Sequence, residues 1–248
     1  ANLSANQFSV NDHKVGDVVI QTEYDKENGT LTYNATTKGN TDRISLSGNV
    51  NIKDTVHQTI STSFEAGSLD LSIINPYLSD IFDDITGKAA TSFKIEGDLK
   101  TPDVTGTVKI KEAAFKVGFT KCRYFLEDQT IQLQKNEILF PYIKIRDSLN
   151  NVGTVNGSVR HNHFANLYFN QLEASASKIT MLNNVAKDNK YFYGNAIGKA
   201  SVGIEGPITD LTIYVEAEPS VVDTSHIYIA GGEEKESNKV DYIEFVNL

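Results

Sequence analysis

Arg43-Ile44-Ser45-Leu46-Ser47-Gly48-Asn49-Val50-Asn51-Ile52 puts apolar side chains on even positions and polar ones on odd positions. Successive side chains of a strand point to opposite faces, so this run has one greasy face and one wet face. The even positions Ile44, Leu46, Val50 and Ile52 are predicted to face inward, and Ser45, Ser47, Asn49 and Asn51 to face water. The same alternation recurs at Val18–Tyr24, Leu69–Ile73, Val104–Ile110, Tyr142–Arg146 and Leu211–Glu216. It adds Val104, Val108, Ile110, Ile143, Ile145, Leu211, Ile213 and Val215 to the predicted apolar lining.

Turn residues separate these runs: Asn28-Gly29, Gly39-Asn40, Asn75-Pro76, Pro102-Asp103, Asn150-Asn151, Gly206-Pro207 and Gly231-Gly232. A turn every 8–12 residues or so predicts about twenty short antiparallel strands in an all-β chain. One short helix is predicted near 76–86, where Pro76 precedes apolar residues Leu78, Ile81, Phe82 and Ile85 at helical spacing. Thr180–Val185 reads as at most a single helical turn. No composition shift marks a domain boundary, so residues 1–248 read as one unit. A weak internal repeat links 87–110 to 198–217, with Ile95-Glu96-Gly97 answered by Ile204-Glu205-Gly206. The charged stretch 230–239 is expected to be a surface loop, and Tyr242–Val246 a terminal strand.

The 248 residues carry 23 Lys and Arg against 32 Asp and Glu, a net charge of −9. That excess argues against a nucleic-acid partner, which requires a basic face. No apolar run is long enough for a transmembrane helix, and no secretory leader opens the chain. The chain starts at Ala1, so a mature or excised piece is expected. The single cysteine, Cys122, can make neither an internal disulfide nor a cysteine-based zinc site.

No arrangement of residues points to catalysis, and the chain is read as a non-enzyme without cofactor or metal. His161-Asn162-His163 offers two imidazoles, but a metal site needs further ligands, and a polar strand edge explains the pair. Asp80, Asp83 and Asp84 lack the acidic-x-acidic-x-acidic-Gly spacing of a calcium loop and read as a solvated helix face. Cys122 stands between Lys121 and Arg123 but reads as an ordinary strand cysteine. Glu96 and Glu205 are matched positions of the repeat rather than a catalytic pair. Gly194-Asn195-Ala196-Ile197-Gly198 lacks the lysine of a phosphate loop. The apolar face remains to be explained. It is either sealed in a sandwich or barrel or holds an apolar ligand.

Several stretches in order resemble one family. Val15–Gln21 followed by Gly29-Thr30-Leu31-Thr32-Tyr33, and Gly97–Val108 followed by Ala113-Ala114-Phe115-Lys116-Val117, are similar to the repeated strand steps of the TamB family. Ile138-Leu139-Phe140, Arg146-Asp147-Ser148, Gly153–His161, Phe192–Ala196 and Ile204–Ile208 continue the likeness in its Bacteroidetes-like form. The resemblance covers roughly residues 8–246 and lacks the family's N-terminal membrane helix, which implies a segment of a longer chain. It implies a long sheet curled into a U-shaped, taco-like trough with an apolar concave face, the lining being the twelve residues above. It further implies an AsmA-like, periplasmic phospholipid conduit between inner and outer membranes, with a TamA-type outer-membrane barrel as partner. The alternative reading is a closed β-sandwich or β-solenoid module that binds glycan or protein.

Overall fold

The computed structural model describes residues 1–10, 13–38, 43–79 and 81–229. The stretch 230–239 and the strand expected at Tyr242–Val246 lie outside these residues. Among the described residues, fourteen strands form one antiparallel sheet: β1 Asn2–Val10, β2 His13–Asp25, β3 Thr30–Lys38, β4 Ile44–Asn51, β5 Thr59–Asp70, β6 Phe82–Asp98 and β7 Pro102–Val117. They continue with β8 Arg123–Gln134, β9 Glu137–Asp147, β10 Val152–Asn162, β11 Ala165–Asn184, β12 Phe192–Pro207, β13 Thr212–Pro219 and β14 His226–Ile229. Strands β1 to β13 follow one another in sequence order, and β14 pairs with β12 beyond the end of β13. The sheet is not closed into a barrel.

The strands are fewer and longer than the turn spacing predicts, reaching 20 residues in β11. Length is possible because bulges, rather than turns, absorb the irregularities. Register shifts interrupt β5–β6, β6–β7, β9–β10, β10–β11 and β11–β12. Gly157 sits at one of them with φ 130°, and a Cβ there would come within 2.3 Å of the Gln171 carbonyl oxygen.

The helix expected near 76–86 is displaced and shortened. A 3₁₀ turn covers Leu71–Ile74 and a four-residue helix, α1, covers Asn75–Leu78. From Phe82 onward the chain is strand, because Phe82 and Ile85 pair with Val117 and Phe115 across the ladder. Asn75 fixes this junction. Its amide accepts from the Ile85 N–H (2.9 Å) and donates to the Ile85 carbonyl (3.1 Å), completing the edge that β5 has left. Asp83 and Asp84 therefore lie on a strand, not a helix face, and are paired with Lys121 (2.7 Å) and Arg123 (2.6 Å). Thr180–Asn184 likewise belongs to β11 rather than to a helical turn. Cys122 is buried in the turn before β8, outside any strand.

The core gathers Leu71, Ile85, Ala89, Ile110, Leu126, Ile143, Ile145 and Ile179, with Leu78 of α1 packed against them. Contacts between non-neighbouring strands show that the sheet bends around this core. Tyr124 of β8 donates to the Thr180 carbonyl of β11 at 2.8 Å, although β9 and β10 lie between. The His163 ring nitrogen Nδ1 lies 3.2 Å from the Pro102 carbonyl, joining the β10–β11 turn to the start of β7. Three strand spacings in a flat sheet would place such groups about 14 Å apart.

Candidate functional site

Cross-strand partners share a face, so the register decides which residues stand side by side. Ala35, Leu46, Phe64 and Phe93 are successive partners across β3, β4, β5 and β6. Two same-face steps further along these strands, Leu31, Val50 and Ile60 form a parallel row. Ile95 pairs with Val104, and Val108 with Ile131. On the far side, Leu172 pairs with Ile204 and then Ile213, and Ala174 with Val202 and then Val215. Phe64 and Phe93 stack with ring centroids 5.9 Å apart. Tyr33 and Thr62 are hydrogen-bonded over Gly48, which stands between them in the register.

The twelve residues predicted as lining divide into three groups. Ile44, Leu46, Val50, Val104, Val108 and Leu211 are half-buried. Ile110, Ile143 and Ile145 are buried in the core, covered by the bent sheet, and are not open to a ligand. Ile213 and Val215 of β13 are 54% and 63% exposed, and Ile52, just past the end of β4, is 39% exposed. These twelve residues are thus covered by the protein's own side chains near the core and uncovered toward β13.

A neighbouring row across β4 to β7 is polar. Ser45, Glu65, Ser92 and Thr107 are successive cross-strand partners, and with Arg43 and Lys109 they line a hollow of about 570 Å³. Gly67 and Ala90 lie among its lining residues and carry little or no side chain, which leaves the space open.

The candidate chemical residues do not converge. His161 is buried and stacks on Phe164 at 4.5 Å, and its Nδ1 accepts from the Phe164 N–H. Burial, and secondarily the neighbouring His163, lower its pKa, so the neutral ring is favoured. His163 stands in the turn, so the two imidazoles do not share a strand face. Glu96 and Glu205 lie on β6 and β12, at the ends of two separate hairpins. Burial raises the pKa of Cys122, which disfavours the reactive thiolate. Among the described residues, no three His, Cys, Asp or Glu side chains are grouped to hold a metal.

One polar cluster escapes sequence reasoning. Asp147, 1% exposed, accepts at one carboxylate oxygen from the Leu149 and Asn151 N–H groups, each at 2.9 Å. Its other oxygen accepts from Asn151 Nδ2, the Thr180 N–H and Thr180 Oγ1, each at 2.8 Å. Burial pushes this carboxyl upward, but the bonds from Asn151 and Thr180 outweigh it and hold the pKa below the ordinary carboxylate range. The nearby Tyr124 hydroxyl is raised, chiefly by burial, and stays a donor. Together these groups pin the β9–β10 turn to β11. Their role is structural.

Comparisons with protein-family models, with curated proteins and with solved structures find no match to this chain.

Proposed function

We propose that the chain is a section of a periplasmic, TamB-like conduit whose sheet curls into a trough and shelters phospholipid acyl chains on its apolar face. In this reading the bridge runs between inner and outer membranes, a TamA-type barrel receives it, and the protein catalyses no reaction. The observation that carries the proposal is the register. Leu31, Ala35, Leu46, Val50, Ile60, Phe64 and Phe93 are juxtaposed across four strands, and the pairs ending in Ile213 and Val215 have the same character. An acyl chain lying across the strands would exchange water for apolar contact at each step, about 0.8 kcal/mol per methylene sheltered. A lining of similar character at each strand gives similar gains at successive positions, which favours sliding over trapping. The buried residues Ile110, Ile143 and Ile145 belong to the core and stand outside this path.

Native mass spectrometry of the purified chain is the first test, with phospholipid retained at a defined stoichiometry expected. Photo-crosslinkers at Leu46 and Ile213 should capture phospholipid in cells, and one at Ser45, on the opposite side, should not. A lipid-free chain whose Leu46 and Ile213 probes capture only protein would replace the conduit with a module that binds protein or glycan.

A further inference from the structure

The strand ends beside Asp147 differ from those at the other rim of the sheet. Four segments meet there: α1 with its flanks, the β7–β8 turn, the β9–β10 turn and the β11–β12 turn. Hydrogen bonds and ring contacts join them into one surface. The Gly118 N–H donates to the Ile81 carbonyl and the Asn183 N–H to the Thr120 carbonyl, each at 2.9 Å. The Phe119 and Phe192 rings meet edge to face at 5.1 Å, and Asp147 ties the Leu149 turn to Thr180. Each segment presents a large apolar side chain to solvent: Tyr77 is 74% exposed, Phe119 60%, Leu149 59%, Val185 51% and Tyr191 67%.

The opposite rim is built differently. Its exposed apolar residues fall into two groups, Tyr24, Ile52 and Val56 toward one end and Phe164 and Ile208 toward the other, and the turns between them carry Lys100-Thr101 and Lys135-Asn136. An exposed apolar side chain is unremarkable alone, but five on four adjoining segments mark an interaction surface. Lys187 and Lys190 flank the patch, and the Lys190 ammonium lies 4.9 Å from the centre of the Tyr191 ring. Two tyrosines with apolar bodies and polar tips, beside lysines on an otherwise acidic chain, match the layered chemistry of a bilayer interface. The side chains also sit on separate protruding turns. A protein partner favours a continuous packed core, whereas headgroups and acyl chains fill the gaps between turns.

We infer that this end of the sheet docks on a lipid bilayer, with Tyr77, Phe119, Leu149, Val185 and Tyr191 entering the headgroup–acyl boundary and Lys187 and Lys190 meeting anionic headgroups. Docking by these turns does not depend on acyl chains entering the apolar groove, and the two can fail separately. The chain has no tryptophan, so Tyr191→Trp introduces a single reporter. With vesicles of phosphatidylcholine and phosphatidylglycerol, its emission should shift to the blue, while a Val56→Trp reporter on the other rim should not respond. In co-sedimentation, the Tyr77→Ser/Tyr191→Ser double variant should bind these vesicles at least about tenfold more weakly than the parent. Circular dichroism checks that it remains folded. Leu46→Asp should keep vesicle binding while losing any retained lipid, which separates docking from groove occupancy. Equal vesicle binding by the parent and the double variant, or none by either, overturns the inference. A concentration-dependent dimer abolished by the same double variant also overturns it, assigning the patch to self-association.

Discussion

Replacing Asp147 by asparagine tests the most concentrated set of polar contacts in the chain. The substitution keeps the shape of the side chain but turns one oxygen into a donor. If the amide oxygen faces Leu149 and Asn151, the new NH₂ confronts the Thr180 N–H and Asn151 Nδ2, leaving donors opposed to donors. Thr180 Oγ1 can rotate to accept, so two hydrogen bonds to a charged acceptor are lost outright. At roughly 1.5–3 kcal/mol for each bond to a charged group, tempered by partial relaxation, the expected loss is about 3 kcal/mol. For a chain of this size that corresponds to a fall in Tm of roughly 6–12 °C. Urea unfolding at several pH values gives a second readout. The folded-state pKa of Asp147 lies below its unfolded value, so its charge-dependent stabilisation is complete above the unfolded pKa of about 3.9. It disappears as pH falls through the lower folded value. The stability gap between parent and variant should therefore be constant near neutrality and narrow in strong acid. A gap below about 0.5 kcal/mol at neutral pH, or one unchanged in acid, would refute the role given to this carboxylate.

Gly157→Ala should destabilise by roughly 2–4 kcal/mol in urea unfolding, because the added Cβ meets the backbone of β11 at a positive φ. Cys122 should react with a thiol reagent at pH 8 only as fast as the protein opens, and promptly once denaturant is added, since it is buried and its thiol pKa is raised. Arg123→Ala, despite the short contact to Asp84, should cost no more than about 1 kcal/mol by thermal unfolding, because both side chains of the pair are more than a third open to solvent.

Alternation alone identifies the strand over residues 44–51, because a period of two leaves few other conformations. It does not show which apolar residues are covered. Ile110, Ile143 and Ile145 alternate as regularly as Leu46 and Val50, yet only the former lie where the sheet bends over itself. The misplaced helix has a local cause. Leu78, Ile81, Phe82 and Ile85 fit a helical stripe, and the competing partners, Phe115 and Val117, are some thirty residues away. Asn75 closes the choice through a side-chain bond to Ile85 that has no counterpart in spacing. Asp147 is hidden for a similar reason: Asp-Ser-Leu-Asn reads as a common turn, and Thr180 completes its cluster from 33 residues away.

The pairing between β8 and β9 holds at its two ends, Tyr124–Phe125 with Arg146–Asp147 and Gln132–Gln134 with Glu137–Leu139, and opens between them. Asp128 and Tyr142, both at positive φ, lie inside the gap, and the register beyond it is the same as before it. Inside it, the Gln129 side-chain oxygen accepts from the Lys144 N–H at 3.0 Å, and Glu127 pairs with Arg146, so side chains take the place of ladder bonds. Mechanically, the sheet is two panels joined along a perforated line. Tension applied across the strands would meet there the two short paired ends, the Tyr124–Thr180 bond and the core that spans the same line, so the bent packing and not the ladder carries the load.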